Sequence, residues 1–389
     1  MTEVRIIGAA RTPYGRFPER TVGELARAAL DACLRDAGAQ IGDIGAVFFA
    51  NAGQGATMGQ HTIRGQVALR GARLPGVPIV NVENACASGA SALHLAVAAI
   101  RSGQVDVALA IGAEQLSVAD RPTATNLFDG GIDVARRAAD LARLGVRPGD
   151  GTVFMGIYAA LAERYGLDQK QLAAVTAKNR GHAALNPYAT YRTPMTIEEI
   201  CAARVIAAPL TKPMCAPIGD GAAAILLCGP RSRFVSGRVV RVRATALASA
   251  TDHVVGDDAD HISSRVARIA YEQAGLGPDD VSLAEVHDAT AVGEILQTRF
   301  LGLADADAAA RGDTALGGRL PVNTSGGLEC NGHPIGATGL GQIHELVTQL
   351  RGEAGARQVA RPRIGLAENG GGFLGVEEAA VAITILEAM

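Results

Sequence analysis

The sequence predicts an α/β fold made of two similar halves with a further segment inserted between them. Strand-like and helix-like stretches alternate with short connections, which favours parallel or mixed sheets covered by helices. One pattern of helix, turn and strand occurs twice in register, since Ala37 and Ala274, and likewise Asp43 and Asp280, are 237 positions apart. The 389 residues include 48 glycines, no tryptophan and 4% aromatic residues, so the interior must be built from small and aliphatic side chains.

The first half is predicted to comprise residues 1–116 together with 217–231. A helix beginning near Glu24 has apolar residues at helical spacing up to an Ala-Gly stop, and a short apolar strand follows Asp43. After Cys86 the run ASGASALHLAVAAIRSG predicts a helix of small residues that closes at Gly103. The next run, VDVALAIGAE, predicts a buried strand.

The second half is predicted to comprise residues 232–389 and repeats these units. Residues 265–289 predict a helix that ends at Gly275 and a strand that ends at His287. GATGLGQIHELVTQLRG then predicts a helix closing at Gly352, and RIGLAENGGG predicts the strand and turn that follow. The same order of elements in both halves indicates two related α/β units packed together.

The inserted segment, residues 117–216, differs in charge from the rest of the chain. It carries 12 Lys or Arg against 9 Asp or Glu, whereas the remainder carries 24 against 30. A modestly basic segment is compatible with a surface that faces a phosphorylated ligand and equally with an ordinary solvated surface.

Composition and motif spacing exclude several classes of protein. A formal net charge of −3 gives no basic footprint for nucleic acid. The six cysteines are scattered and include no C-x-x-C pair, so neither a disulfide framework nor a structural zinc site is expected. No apolar stretch reaches the length of a membrane span. We therefore expect a cytoplasmic protein with free thiols, no metal and no membrane contact.

Cys86 is the leading candidate for a nucleophile. It lies in VNVENACASGAS, between an apolar strand and a helix whose first turn is made of small residues. The positive end of that helix and its unpaired amides are expected to favour the thiolate form. The alternative is a buried cysteine that only fills space.

Two histidines and one glycine run are candidates for the same chemistry. His333 lies in the glycine-rich loop NTSGGLECNGHPIGATG, and His287 ends a predicted strand, the place where ligands bind in α/β sheets. Either histidine could instead be structural. The run Gly370-Gly371-Gly372 lacks the context of a dinucleotide site, and we interpret it as backbone donors for an oxyanion if it faces Cys86.

These motifs together resemble the thiolase family, nearly from end to end. AARTPYGRF, NACASGASALHLA, IGDGAAAILL at 218–227, GGLECNGHPIGATG and the final GGG turn occur in the family's order. HDAT at 287–290 and KNRGHAALNPYA at 178–189 are similar to the sterol-carrier or lipid-transfer branch. The resemblance implies a duplicated five-layer α/β/α/β/α fold with an inserted loop domain.

The resemblance also implies roles for individual residues. Cys86 would carry the acyl group as a thioester, His333 would activate that thiol, and His287 would help to bind the thioester oxygen. The amides of Cys86 and Gly370 would form a second oxyanion hole. The implied reaction is the cleavage or formation of 3-oxoacyl-CoA, as in fatty acid metabolism, with CoA as a substrate and no other cofactor.

One departure from the family pattern concerns the second catalytic cysteine. The two places where the family carries it are Ala289 and Glu368 here, so the acid/base at the α-carbon has no assignment. Glu368 is our first hypothesis, because a carboxyl in a dry site can have its pKa raised toward neutrality, and Cys330 is our second.

Three functions remain open on the sequence. The first is a thiolase-type acyltransferase, and the second is an enzyme that passes the Cys86 acyl group to another carbon acceptor. The third is a CoA-ester-binding subunit of a multi-protein complex. The resemblance further implies a homodimer or homotetramer, and relatives suggest a small OB-fold partner protein.

Overall fold

The computed structural model describes residues 2–117, 127–147, 149, 151–234, 238–251 and 257–389. Residues 118–126, 148 and 150 of the predicted insert lie outside the described residues. The strands are β1 Val4–Arg11, β2 Ala46–Ala50, β3 Ile79–Val82, β4 Val107–Glu114, β5 Val205–Ala207, β6 Leu210–Thr211, β7 Gly221–Cys228, β8 Val240–Ser249, β9 Leu283–Glu285, β10 Ile364–Leu374 and β11 Glu377–Ala388.

The α-helices range from single turns to four turns. They are α1 Val22–Ala37, α2 Gln54–Met58, α3 Arg64–Ala68, α4 Ser88–Arg101, α5 Arg137–Arg143, α6 Val153–Arg164, α7 Gln169–Ala184, α8 Ile197–Cys201, α9 Ile262–Ala274, α10 Ala291–Phe300, α11 Gly327–Asn331 and α12 Ile335–Leu350. Short 3-10 turns lie at Ile41–Asp43, Lys212–Met214, Pro278–Asp280 and Gly355–Arg357.

The duplication expected from the sequence extends to the ends of helices. α1 and α9 both end at a glycine in the left-handed region, Gly38 with φ 62° and Gly275 with φ 65°. A glycine adopts this conformation without the steric cost that a Cβ would bring, and so closes the helix. The 3-10 turns after the two helices, Ile41–Asp43 and Pro278–Asp280, keep the same register.

Nine of the strands form one continuous sheet in the order β3-β2-β4-β7-β1-β8-β11-β10-β9, and β5 and β6 pair in a separate two-stranded sheet. The sequence indicated two packed halves, and the structure also joins them by hydrogen bonds. Val4–Ile6 of β1 pairs antiparallel with Val240–Val242 of β8. On either side of this joint two antiparallel pairings are followed by a parallel one, and the first half has one further parallel pairing, between β2 and β3.

Helices cover the outer face of each half-sheet and also fill the space between the two half-sheets, which gives the five-layer α/β/α/β/α fold. α4 and α12 pack against each other and against strands of both halves. Their apolar side chains and those of both half-sheets form one central core. α1 covers the outer face of the first half, and α9 covers the outer face of the second. Because Cys86 and His333 directly precede α4 and α12, the central helix pair brings them together.

The insert packs over the end of the molecule where these two helices begin. Apolar residues of α6 and α7, such as Ile157 and Leu172, join those of α10 in a separate cluster. Cys86 and Phe373 belong to the same cluster. Among the described residues, no helix is long and apolar enough to cross a membrane.

Candidate active site

Cys86, His287 and His333 converge on one point. The Nε2 atom of His333 lies 3.0 Å from the Sγ atom of Cys86. The rings of His287 and His333 are 5.2 Å apart, centroid to centroid, at an interplanar angle of 65°. All three side chains are buried. The structure thus brings together the three residues that the sequence singled out as nucleophile and histidine partners.

A strained turn between β3 and α4 presents the thiol. Ala85 has a positive φ of 47°, which is uncommon for a residue with a Cβ. The Ser88 hydroxyl fixes this turn, because it accepts the Asn84 N–H at 2.9 Å and donates to the Ala85 carbonyl at 2.6 Å. Such strain persists only where the surrounding bonds enforce it, as they do here.

The side chain of Asp288 links the two histidine loops. Asp288 follows His287 and accepts the backbone N–H of Leu328 at 2.7 Å, at the start of α11. α11 leads directly to the loop of His333, whose own N–H donates to the Pro217 carbonyl at 2.8 Å. The His287-Asp288 pair and the Gly332-His333-Pro334 turn are therefore parts of one hydrogen-bonded unit.

A buried polar cluster on α7 supports this unit. Asn179 donates to the carboxylates of Glu294 at 2.9 Å, Glu329 at 3.3 Å and Asp288 at 3.4 Å. Lys178 Nζ contacts Glu294 at 2.5 Å. Burial, together with the neighbouring carboxylates, raises the pKa of Asp288 and that of Glu329, the latter to about 8. This cluster accounts for the first residues of the KNRGHAALNPYA motif.

The thiol and its partner imidazole are both neutral at rest. Burial and the Glu114 carboxylate raise the pKa of the Cys86 thiol to about 12. Burial and the nearby His287 ring hold the pKa of His333 well below its usual range. The expectation that the thiolate is favoured is therefore wrong for the resting protein, because desolvation outweighs the backbone N–H groups that lower the pKa of the thiol. A neutral thiol beside a neutral imidazole can still react if the proton moves to His333 during attack.

His287 is oriented by a residue that the sequence did not single out. Asn369 Nδ2 lies 3.2 Å from Nδ1 of His287. An amide donor at Nδ1 requires the tautomer with its proton on Nε2, which leaves that N–H free to donate into the cavity. Burial lowers the pKa of His287 to about 4, so the ring is neutral.

The glycine run of β10 lies against the Cys86 turn. A Cβ on Gly371 would lie 2.2 Å from the Asn84 carbonyl oxygen, and Gly372 has a φ of 65°. The N–H of Gly372 and that of Cys86 itself both interact with the Cys86 sulfur and lower its pKa somewhat. Gly370 lines the cavity, but the strand N–H that faces the sulfur is that of Gly372.

These groups surround a cavity of about 50 Å³. Its wall is mostly apolar and aromatic, with few polar groups, as in small-molecule sites. Besides the residues already described, it is lined by Phe128, Thr152, Phe154, Met155, Tyr158, Ala216, Ile218, Ala289, Phe373 and Glu378.

The two acid/base candidates from the sequence lie apart from this wall. Glu368 Oε2 accepts the backbone N–H of His287 at 3.0 Å, and neither Glu368 nor Cys330 is among the lining residues. Cys330 is buried with Ala183 and Ala189. The lining carboxyl is that of Glu378, which sequence reasoning missed. The signal in the sequence was the charged pair Glu377-Glu378 directly before the apolar run of the last strand, because charged residues that enter a buried strand usually have a specific role.

The same three side chains have a spacing that would suit a metal ion. The donor atoms of Cys86, His287 and His333 lie within 4.8 Å of one another, and they form the only such trio found in the described ranges. Thiolate and imidazole are ligands that zinc accepts. Operation without a metal or organic cofactor stays a prediction.

Comparisons with known proteins agree over almost the whole chain. The thiolase N-terminal domain model matches residues 4–230, and the model described as thiolase C-terminal domain-like matches residues 248–385. The acetyl-CoA acetyltransferase of Methanothermobacter thermautotrophicus is 36% identical over 96% of this chain and 97% of its own length. The sterol carrier protein 2 of Gallus gallus is 31% identical over 94% of this chain and 69% of its own length. The benzoylsuccinyl-CoA thiolase subunit BbsB of Thauera aromatica is 35% identical over 80% of this chain and 81% of its own.

Solved structures share the fold at lower sequence identity. The Ltp2-ChsH2(DUF35) aldolase superposes with a TM-score of 0.82 at 23% identity, covering 100% of this chain and 98% of that chain. Human mitochondrial 3-ketoacyl-CoA thiolase in complex with CoA gives a TM-score of 0.75 at 17% identity, with 100% and 98% covered. The two matched domain models and the near full-length relatives establish that this chain is an acyltransferase that belongs to the thiolase family.

Proposed function

We propose that this protein is an acyl-CoA C-acyltransferase that cleaves or forms 3-oxoacyl-CoA through an acyl-enzyme on Cys86. The observation that carries the proposal is the 3.0 Å contact between Cys86 Sγ and His333 Nε2 at the wall of a largely apolar cavity. The name of the relative from Methanothermobacter thermautotrophicus, acetyl-CoA acetyltransferase, is consistent with this reaction.

Thiolysis begins with attack of the Cys86 sulfur on the 3-oxo carbon of the substrate. The thiol proton passes to Nε2 of His333, and the carbonyl oxygen gains negative charge. Backbone N–H groups of the Cys86 turn and of the Gly370–Gly372 strand stabilise that oxygen, and the interaction of the Cys86 and Gly372 N–H groups with the sulfur supports this role. Fixed donors at a developing oxyanion contribute a large share of rate enhancement in acyl transfer.

The bond between C2 and C3 then breaks, and its electron pair becomes the enolate of acetyl-CoA. The Nε2–H of His287 binds the thioester oxygen, where the enolate charge collects. Protonation at C2, which consumes the proton that left Cys86, releases acetyl-CoA and leaves the shortened acyl group on Cys86. Finally CoA attacks this thioester, its thiol proton passes through His333 to the departing Cys86 sulfur, and the free thiol is regenerated.

The partners of this reaction follow from the same proposal. CoA and its acyl esters are the substrates, and no resident cofactor is required because every catalytic group named is part of the chain. We also propose a homodimer or homotetramer, with a small partner protein as a further component. One structural neighbour, the Ltp2-ChsH2(DUF35) aldolase, carries two components in its name, which is consistent with such a partner.

Intact-mass spectrometry tests the proposal directly. Incubation with acetyl-CoA is expected to add one acetyl group to the protein with release of CoA, and Cys86→Ser is expected to remain unmodified. Cys330→Ser is the matched control, because Cys330 is buried away from the cavity. Absence of an adduct on the wild-type protein would overturn the acyl-enzyme proposal and favour a CoA-ester-binding subunit.

The sequence supports one second candidate. Ala289 and Glu368 stand where a thiolase carries its second cysteine, so the acyl group on Cys86 could pass to a carbon acceptor other than acetyl-CoA. Incubation with acetoacetyl-CoA and CoA distinguishes the two functions. Turnover to acetyl-CoA supports thiolysis, whereas an adduct that forms without acetyl-CoA release supports the other acceptor.

A further inference from the structure

A second carboxyl group faces the cavity from the last strand. Glu378 lies in β11 opposite Phe373 of β10, and both side chains line the cavity that contains Cys86, His287 and His333. The Glu378 side chain is buried. A carboxyl buried at the wall of a reactive cavity needs a physical reason, because burial disfavours its charged form.

A hydrogen bond occupies only one of the two Glu378 oxygens. Oε1 accepts the Nε2–H of Gln297 at 2.7 Å. Oε2 has no hydrogen-bond partner within the described part of the chain. The nearest base, His261, lies 3.6 Å from Oε2, and burial lowers the pKa of this histidine to about 3, so it brings no positive charge. Burial raises the pKa of Glu378 to about 7, the range in which a group can both take and give a proton.

Glu368 is a neighbour of Glu378 but does not line the cavity, and its contacts make it less suitable as an acid/base. A Cβ on Gly370 would lie 2.7 Å from Glu378 Cγ and 3.4 Å from Glu368 Oε1, so the two side chains flank Gly370. Glu368 Oε2 is held by the backbone N–H of His287. Burial and the neighbouring Glu378 raise the pKa of Glu368 well above its usual range, which keeps it protonated. Glu377, the remaining carboxylate close to Glu378, bonds to the N–H of Ile262 at 2.7 Å.

We propose that Glu378, rather than Glu368, is the catalytic acid/base at the α-carbon and takes the place of the missing second cysteine. The inference rests on the proposed function, since it assigns a step of that reaction. In condensation the Glu378 carboxylate removes a proton from the methyl group of acetyl-CoA. The electron pair of that C–H bond forms the new bond to the acyl carbon on Cys86. The C–S bond breaks, and the proton that Glu378 removed passes through His333 to the departing Cys86 sulfur. In thiolysis the Glu378 carboxyl donates its proton to C2 as the C2–C3 bond breaks.

Two measurements on each variant separate this step from acylation. The first is acetylation of Cys86 followed by intact mass, and the second is exchange of the acetyl-CoA methyl protons for deuterium in D₂O. Glu378→Gln is expected to acetylate at the wild-type rate but to lose exchange and thiolysis by about 100-fold or more, the usual contribution of a general acid/base. Glu368→Gln is expected to keep both, because the amide mimics a protonated carboxyl. Glu377→Gln is the matched control for the strand.

The outcomes are distinct for each proposal. Failure of the wild-type protein to acetylate would overturn the proposed function, whereas acetylation with undiminished exchange in Glu378→Gln would overturn the role of Glu378 alone. Loss of exchange in Glu368→Gln with retention in Glu378→Gln would return the role to Glu368. If Glu378→Gln does not fold, Glu378→Asp decides: intact acetylation with reduced exchange supports the assignment, and full exchange overturns it.

Discussion

Replacing Gly371 with alanine tests how closely β10 must approach the Cys86 turn. The new Cβ would lie 2.2 Å from the Asn84 carbonyl oxygen and 2.5 Å from the Ala87 nitrogen. Both are backbone atoms on either side of Cys86, so neither can rotate away as a side chain would. An ordinary carbon–oxygen contact is about 3.3 Å. The strand and the turn must therefore separate by roughly 1 Å, the difference between these two distances.

This displacement has two calculable consequences. A shift of about 1 Å in a reacting group can reduce the rate about 100-fold, and we expect that loss in acetylation of Cys86 by acetyl-CoA. Overpacking of a core typically costs about 1–3 kcal/mol, and we expect the free energy of unfolding to fall by that amount. The rate is measured by quenched intact-mass spectrometry and the stability by urea denaturation.

Gly181→Ala is the matched control for this substitution. Gly181 lies on α7, is exposed, and has no atom within 4 Å of the position that a Cβ would take. Alanine in a helix is about 0.5–1 kcal/mol more favourable than glycine. The control should therefore be acetylated at the wild-type rate and unfold at a slightly higher urea concentration. A Gly371→Ala protein that acetylates at the wild-type rate would refute the reasoning.

Three further predictions concern protonation. Because the pKa of Cys86 is about 12, its alkylation by iodoacetamide should accelerate steadily from about pH 7 to about pH 10, and a plateau would indicate a thiolate–imidazolium pair instead. His333→Asn removes the base, so acetylation of Cys86 should slow about 100-fold while the unfolding temperature stays near that of wild type; rapid acetylation would mean that another base serves. Burial raises the pKa of Glu329 from 4.5 to about 8, so this group costs stability as the pH rises through that window. Glu329→Gln should therefore gain stability relative to wild type between about pH 5 and about pH 8, by about 1.4 kcal/mol per pKa unit at most, and an equal difference at both pH values in urea denaturation would contradict this.

Local patterns in the sequence were sufficient for much of the fold. Helical spacing and the glycine stops after Ala37 and Ala274 predicted α1, α9 and the duplication, because these features depend only on residues close together in the chain. The positions of Cys86 and His333, each before a helix of small residues, predicted where the reactive groups lie. The hydrogen-bonded joint between β1 and β8 was not predicted, since strand pairing depends on residues far apart in sequence.

Tertiary structure decided how the site is completed and in which charge state it rests. The sequence by itself determined the reactive residue types, the two-half architecture and the absence of a second cysteine at Ala289 and Glu368. It could not show that Glu378 rather than Glu368 faces the cavity, because that depends on how β10 and β11 pair around Gly370. Nor could it show that Cys86 is a neutral thiol, since the helix dipole is visible in the local sequence whereas desolvation comes from every element packed over the sulfur.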